Sequence, residues 1–154
     1  MKVNTRLFGE IEIEQEKIIC FENGIIGFPD CKQFTLIFDE TDDGARKNIS
    51  WLQSLDEPSF ALPVMDPLLI KEDYNPQVEH ELMKSLGNLT EENTYVLVTV
   101  TVPADIKKIS VNLRAPIVIN VENLKAEQLI VDDSYPVKYM IYDILQNKKT
   151  KAGE

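Results

Sequence analysis

Thr94-Tyr95-Val96-Leu97-Val98-Thr99-Val100-Thr101-Val102 reads as a β-strand on both of its faces. Valines at 96, 98, 100 and 102 alternate with Tyr95, Leu97, Thr99 and Thr101, and all of these pack well on a pleated surface. Such a strand belongs at the centre of a sheet, with core on one face and a partly covered second face. Weaker versions of the signal flank it. Upstream, strands are expected over 17–21, 34–38, 49–55 and 61–65, separated by the turn signals Asn23-Gly24, Asp42-Asp43-Gly44 and Glu57-Pro58. Downstream, they are expected over 110–113, 117–121 and 127–131, broken at Ala115-Pro116 and Glu122-Asn123. Near the N-terminus Val3, Leu7, Ile11 and Ile13 alternate with Glu10, Glu12 and Glu14, a half-buried strand with Gly9 as a bulge. Residues 135–142 fit strand or helix equally.

Short strands at short spacing point to a closed or sandwich-like β core, and the expected fold is all-β or β-dominated, a small closed, barrel-like antiparallel sheet whose closure removes sticky edges. One or two short peripheral helices complete it. The clearest is expected over 76–86, with Asn75 as N-cap, Pro76 at the first helical position and Gly87 as the left-handed stop. Val78, Leu82 and Leu86 recur at intervals of four and give this helix one apolar face for the outside of the barrel.

A chain of 154 residues is one domain in size, and 44% hydrophobic with 27% charged residues is a globular composition, not a disordered or membrane one. The expected domain is 1–146, followed by a frayed lysine-rich tail over 147–154. The formal charge is -10, and the tail holds Lys148, Lys149 and Lys151 against Glu154, so the body is more acidic still. That field repels phosphate backbones and argues against direct nucleic-acid binding, while it steers basic proteins inward. The simpler reading is that negative charge keeps a cytoplasmic protein soluble. Glutamates at 10, 12, 14 and 16 stand where a signal peptide would be apolar, and no apolar run suggests a membrane span. Cys20 and Cys31 lack disulfide-framework or zinc spacing and read as reduced, partly buried cytoplasmic thiols.

Catalytic and metal patterns fail one after another. His80 is the one histidine, placed on the solvent side of the expected helix, so no histidine pair can hold a metal or serve a triad. Gly24-Ile25-Ile26-Gly27 has the spacing of an RNA clamp but no cations, and a turn explains it better. The run Asp39 to Gly44 imitates the start of a calcium loop, yet its twelfth place is Ser50 and not a bidentate carboxylate. Asp132 and Asp133 are adjacent and face opposite ways in a strand, so they make a polar turn and not an acid–base pair. No enzyme activity and no cofactor are expected.

Three motifs in order carry a resemblance. Phe21-Glu22-Asn23-Gly24-Ile25-Ile26-Gly27-Phe28-Pro29 is followed by Trp51-Leu52-Gln53-Ser54-Leu55-Asp56-Glu57-Pro58-Ser59-Phe60-Ala61-Leu62-Pro63-Val64-Met65-Asp66-Pro67, then by Asn112-Leu113-Arg114-Ala115-Pro116-Ile117-Val118-Ile119-Asn120 with Ala126-Glu127-Gln128-Leu129-Ile130. Together, from about residue 5 to residue 139, the chain resembles the flagellar assembly factor FliW family. The resemblance implies a compact β-barrel-like protein that binds flagellin and, alternately, CsrA, a basic homodimeric RNA-binding regulator that represses flagellin translation. It implies release of that repression when exported flagellin frees the factor to bind CsrA. A β-barrel holding a small apolar ligand is the alternative, and it requires an internal cavity.

The expected partner contacts are acids beside turns, Asp42, Asp43, Asp56, Glu57, Asp132 and Asp133, together with Asn112 and Asn120. The asparagines stay open between structural and binding roles, since a buried amide must be hydrogen-bonded and an exposed one is available. The motif glycines and prolines read as turn formers, and Trp51 reads as core packing before interface.

Overall fold

The computed structural model describes residues 2–6, 8–38, 49–76, 84, 86, 87, 89, 90, 92–131 and 134–146. The calcium-like run at 39–44, most of the helix expected over 76–86 with His80, and the tail at 147–154 lie outside the described residues.

The valine-rich stretch forms β7, Thr94–Thr101, and everything else is arranged around it. Before it come β1 (Lys2–Thr5), β2 (Gly9–Glu12), β3 (Ile19–Phe21), β4 (Gln33–Phe38), β5 (Ser50–Ser54) and β6 (Ala61–Met65). After it come β8 (Ser110–Val111), β9 (Ile117–Asn120), β10 (Lys125–Gln128) and β11 (Tyr139–Met140). Hydrogen bonding runs β7-β6-β5-β4-β3-β10-β9 and back to β7, a closed ring of seven strands. The fold is a β-dominated closed barrel, as expected, with one correction. The β3–β10 pair is parallel, Cys20 opposite Lys125 and Phe21 opposite Ala126, so the barrel is mixed and not antiparallel throughout. This seam joins strands a hundred residues apart, and local alternation holds no record of their relative direction.

Strand β7 faces two cores, which explains why both of its sides are β-favouring. Leu97 points into the barrel with Phe21, Phe34, Leu52, Ile117 and Ile119, and these side chains fill its axis. Val98 and Val100 point outward into a second core with Met65, Ile109, Leu113 and Ile141. β8 pairs with the end of β7, β11 pairs with β8, and a helical turn over 142–146 closes this outer core. Residues 135–142 therefore contain both of the expected states, a short strand and the start of a helical turn. Leu86 and Leu89 pack on the outside of the barrel against Val118, Leu129 and Val96. Gly87 has the left-handed φ of +84° expected of a stop.

Other boundaries shift. The N-terminal alternation is a hairpin and not one bulged strand: the Thr5 hydroxyl accepts from the Phe8 amide at 2.9 Å and donates to the Gly9 carbonyl at 2.9 Å, reversing the chain. The last expected strand begins two residues earlier, at Lys125. Cys20 is exposed and Cys31 buried, so the two thiols do not share the intermediate environment expected of them. Among the described residues, no helix is long and apolar enough to cross a membrane.

Candidate partner-binding surface

Parts of all three sequence motifs meet at one end of the barrel. The chain leaves β3 through Asn23 and Gly24; Gly24 has a φ of +70°, and a Cβ added there would lie 2.5 Å from the Pro29 carbonyl oxygen, so there is no room for one. Ile25 and Phe28 then exchange backbone hydrogen bonds of 3.2 and 2.7 Å, closing a tight loop with Ile25 buried beneath and Ile26 and Phe28 outside. Phe28 stacks on Phe60, ring centroids 4.3 Å apart, and Phe60 belongs to the turn that carries Asp56 and Glu57. One Asp56 carboxylate oxygen accepts the Lys32 and Gln33 amides, both at 2.7 Å. Glu57 accepts the Ser59 hydroxyl at 2.8 Å.

Asp56 and Glu57 are thus exposed, as expected for partner contacts, and Asp56 also pins one loop to the other. On the opposite flank the Asn23 amide donates to Glu127 at 3.0 Å, and the Ile26 amide donates to the Gln128 side chain at 2.9 Å. The fold brings loop 22–30, turn 56–60 and the end of β10 into one surface. Asp42, Asp43, Asp132 and Asp133 lie outside the described residues.

The two asparagines stand elsewhere and have internal partners. Asn112, half-buried, accepts the Arg114 and Ala115 amides at 3.0 and 3.2 Å and shapes the turn into β9. Asn120 is 2% exposed; it donates to the Leu86 carbonyl at 2.7 Å and accepts the Glu122 amide at 2.9 Å. It ties the segment around Leu86 to the barrel. Trp51 is half-buried on the outer face of β5, with Phe8 packed edge-on at 6.2 Å.

A cleft of about 470 Å³ opens outside the barrel, between the segment 66–76 and strands β7 and β9. Pro67, Leu68, Tyr74, Tyr95, Pro116 and Val118 line it, with Asp66 and Asn75 at its polar edge. Burial, and then the Asp66 charge, push the Tyr95 phenol above its usual range and keep it neutral. Burial raises Tyr74 too, and its hydroxyl donates to the Leu113 carbonyl at 2.6 Å.

Sequence reasoning passed over Ile26, Phe28 and Ile130 as contact residues, although they are 52%, 47% and 66% exposed. A signal was present in Ile25-Ile26-Gly27-Phe28: a tight turn cannot bury three large apolar side chains on one side of the chain.

The profile described as "FliW protein" matches residues 2–141. The flagellar assembly factor FliW of Lachnoclostridium phytofermentans is 47% identical over 156 aligned positions, covering 100% of this chain and 99% of that protein. That of Lachnospira eligens is 49% identical, covering 97% and 99%. A crystal structure of the flagellar assembly factor FliW superposes with a TM-score of 0.84 at 29% identity, over 92% of this chain and 97% of the other. With the mixed seven-strand barrel and the three ordered motifs all placed in one structure, the chain belongs to the FliW family.

Proposed function

We propose that this chain is a cytoplasmic, non-enzymatic flagellar assembly factor that binds flagellin and CsrA in turn, relieving CsrA repression of flagellin translation when flagellin is exported. Family membership across residues 2–141 is the observation that carries the reading. The formal charge of -10 supports it from the physical side, since such a surface favours a basic partner and disfavours RNA held beside it. The filled barrel axis weighs against the rival small-ligand reading, which needs its cavity inside. The cleft beside Tyr95 is the place where a small apolar molecule would sit if that rival held.

Titration of the purified full chain with flagellin and with CsrA, alongside intact mass measurement under native conditions, separates the readings. Saturable binding to both proteins, with no small molecule retained, is expected. No binding to either protein together with a retained small molecule would overturn the proposal.

A further inference from the structure

We propose that the tip formed by Ile26, Phe28 and Ile130 is the apolar anchor point for a basic protein, which inserts an exposed apolar side chain there while its cations meet the surrounding acids. This inference rests on the reading above, because it assigns a surface to the basic one of the two proposed partners.

The first argument is rigidity. Exposed apolar side chains on a slack loop are ordinary, but this loop is tied down on both flanks. Glu127 and Gln128 hold Asn23 and the Ile26 amide on one side, and Phe60 stacks under Phe28 on the other. Beyond β10 the Leu129 and Val131 amides donate to the Pro116 and Arg114 carbonyls and both side chains are buried, so the chain stays extended and exposed Ile130 falls on the side of Gln128, next to its contact with the loop. The buried Ile25 already secures the loop to the core. Ile26, Phe28 and Ile130 nevertheless stay about half or more exposed, and a preordered apolar tip is what a partner can cover at little entropic cost.

The second argument is charge. The segments that build the tip carry Glu22, Asp30, Asp56, Glu57 and Glu127 against Lys32 and Lys125, and Arg6 donates to the Ser59 carbonyl at 3.1 Å, so acids outnumber cations there five to three. An apolar centre inside a charged rim is the anatomy of a protein interface. A rim of this sign repels nucleic acid and anionic lipid, and a second copy of the chain would set like charges against each other. A cationic protein surface is the complementary occupant.

The test compares wild type with Ile26→Ser and Ile26→Ser/Ile130→Ser, using the CsrA dimer and flagellin as probes and thermal unfolding to confirm the fold. The double variant should lose roughly tenfold or more in CsrA affinity, chiefly through faster dissociation, with flagellin binding and unfolding temperature unchanged. Wild-type CsrA affinity in the double variant would overturn the assigned surface while leaving the functional reading intact. Loss of flagellin binding in place of CsrA binding would overturn the choice of a basic partner. Failure of wild type to bind CsrA would overturn both the surface and the reading on which it rests.

Discussion

Gly24 shows how much of this architecture depends on single positions. A methyl group there would meet the Pro29 backbone at 2.5 Å in a left-handed conformation that Ala resists, so Gly24→Ala should cost roughly 2–4 kcal/mol in urea unfolding. A cost below 0.5 kcal/mol, on the order of a neutral surface change, would mean that the loop relaxes freely. Tyr74 is a second such position. Tyr74→Phe leaves the buried Leu113 carbonyl without its phenol donor and should cost about 1–2 kcal/mol. Tyr74 also gives stability a pH dependence. Its folded pKa lies above the unfolded value of 10.0, so the unfolded chain releases its proton first as pH rises. The stability contribution is whole below about pH 10 and is lost above it. Tyr95 is shifted in the same direction, so Tyr74→Phe should flatten the alkaline loss without abolishing it. Denaturant titrations between pH 8 and 11 would show a parallel loss in variant and wild type if Tyr74 plays no part.

Among the elements, the β1–β2 hairpin forms a two-stranded sheet of its own, apart from the barrel sheet. It lies over the outer face of β5, with Val3, Ile13 and Leu55 forming a small satellite core and Phe8 edge-on to Trp51. Phe8→Ala should therefore cost about 1 kcal/mol and red-shift the fluorescence of Trp51 while leaving the far-ultraviolet circular dichroism of the barrel unchanged. An unaltered emission spectrum would show that Phe8 does not shield the indole. This hairpin also marks a limit of what alternation can reveal. Period two placed β6 and β7 almost to the residue because their side chains face packed layers on the barrel. The same rule ran straight through Thr5 to Gly9, where a hydroxyl bonding to backbone on both sides turns the chain. The parallel β3–β10 seam was likewise illegible, being set by closure between remote strands. At the candidate surface, acidity was legible at Asp56 and Glu57 because turn residues are exposed. The union of that turn with loop 22–30 was not, because it depends on Phe28 meeting Phe60 across the tertiary fold.

Across the whole molecule, the proposed function divides the work of association between charge and apolar exposure. On the proposed reading, the formal charge of -10 acts at a distance and should govern how fast a basic partner arrives, whereas the tip at Ile26 and Phe28 acts on contact and should govern how long it stays. Asp56→Asn with Glu57→Gln removes two charges beside the tip and keeps the amide oxygens that can still accept from Lys32, Gln33 and Ser59. The same replacement at Asp42 with Asp43, or at Asp132 with Asp133, removes equal charge at positions outside the described residues and serves as the comparison. Flagellin association, if it rests on apolar packing as proposed, should respond weakly to all three. The decisive measurement is the stopped-flow association rate of CsrA with the wild type and the Asp56/Glu57 variant across a salt series. The wild-type rate should fall steeply with salt, and the variant should start several-fold slower at low salt and converge on wild type as the screening length shrinks to about 8 Å near physiological ionic strength. Equal, salt-independent rates for both proteins would contradict the claim that an acidic surface recruits a basic partner to this end of the barrel.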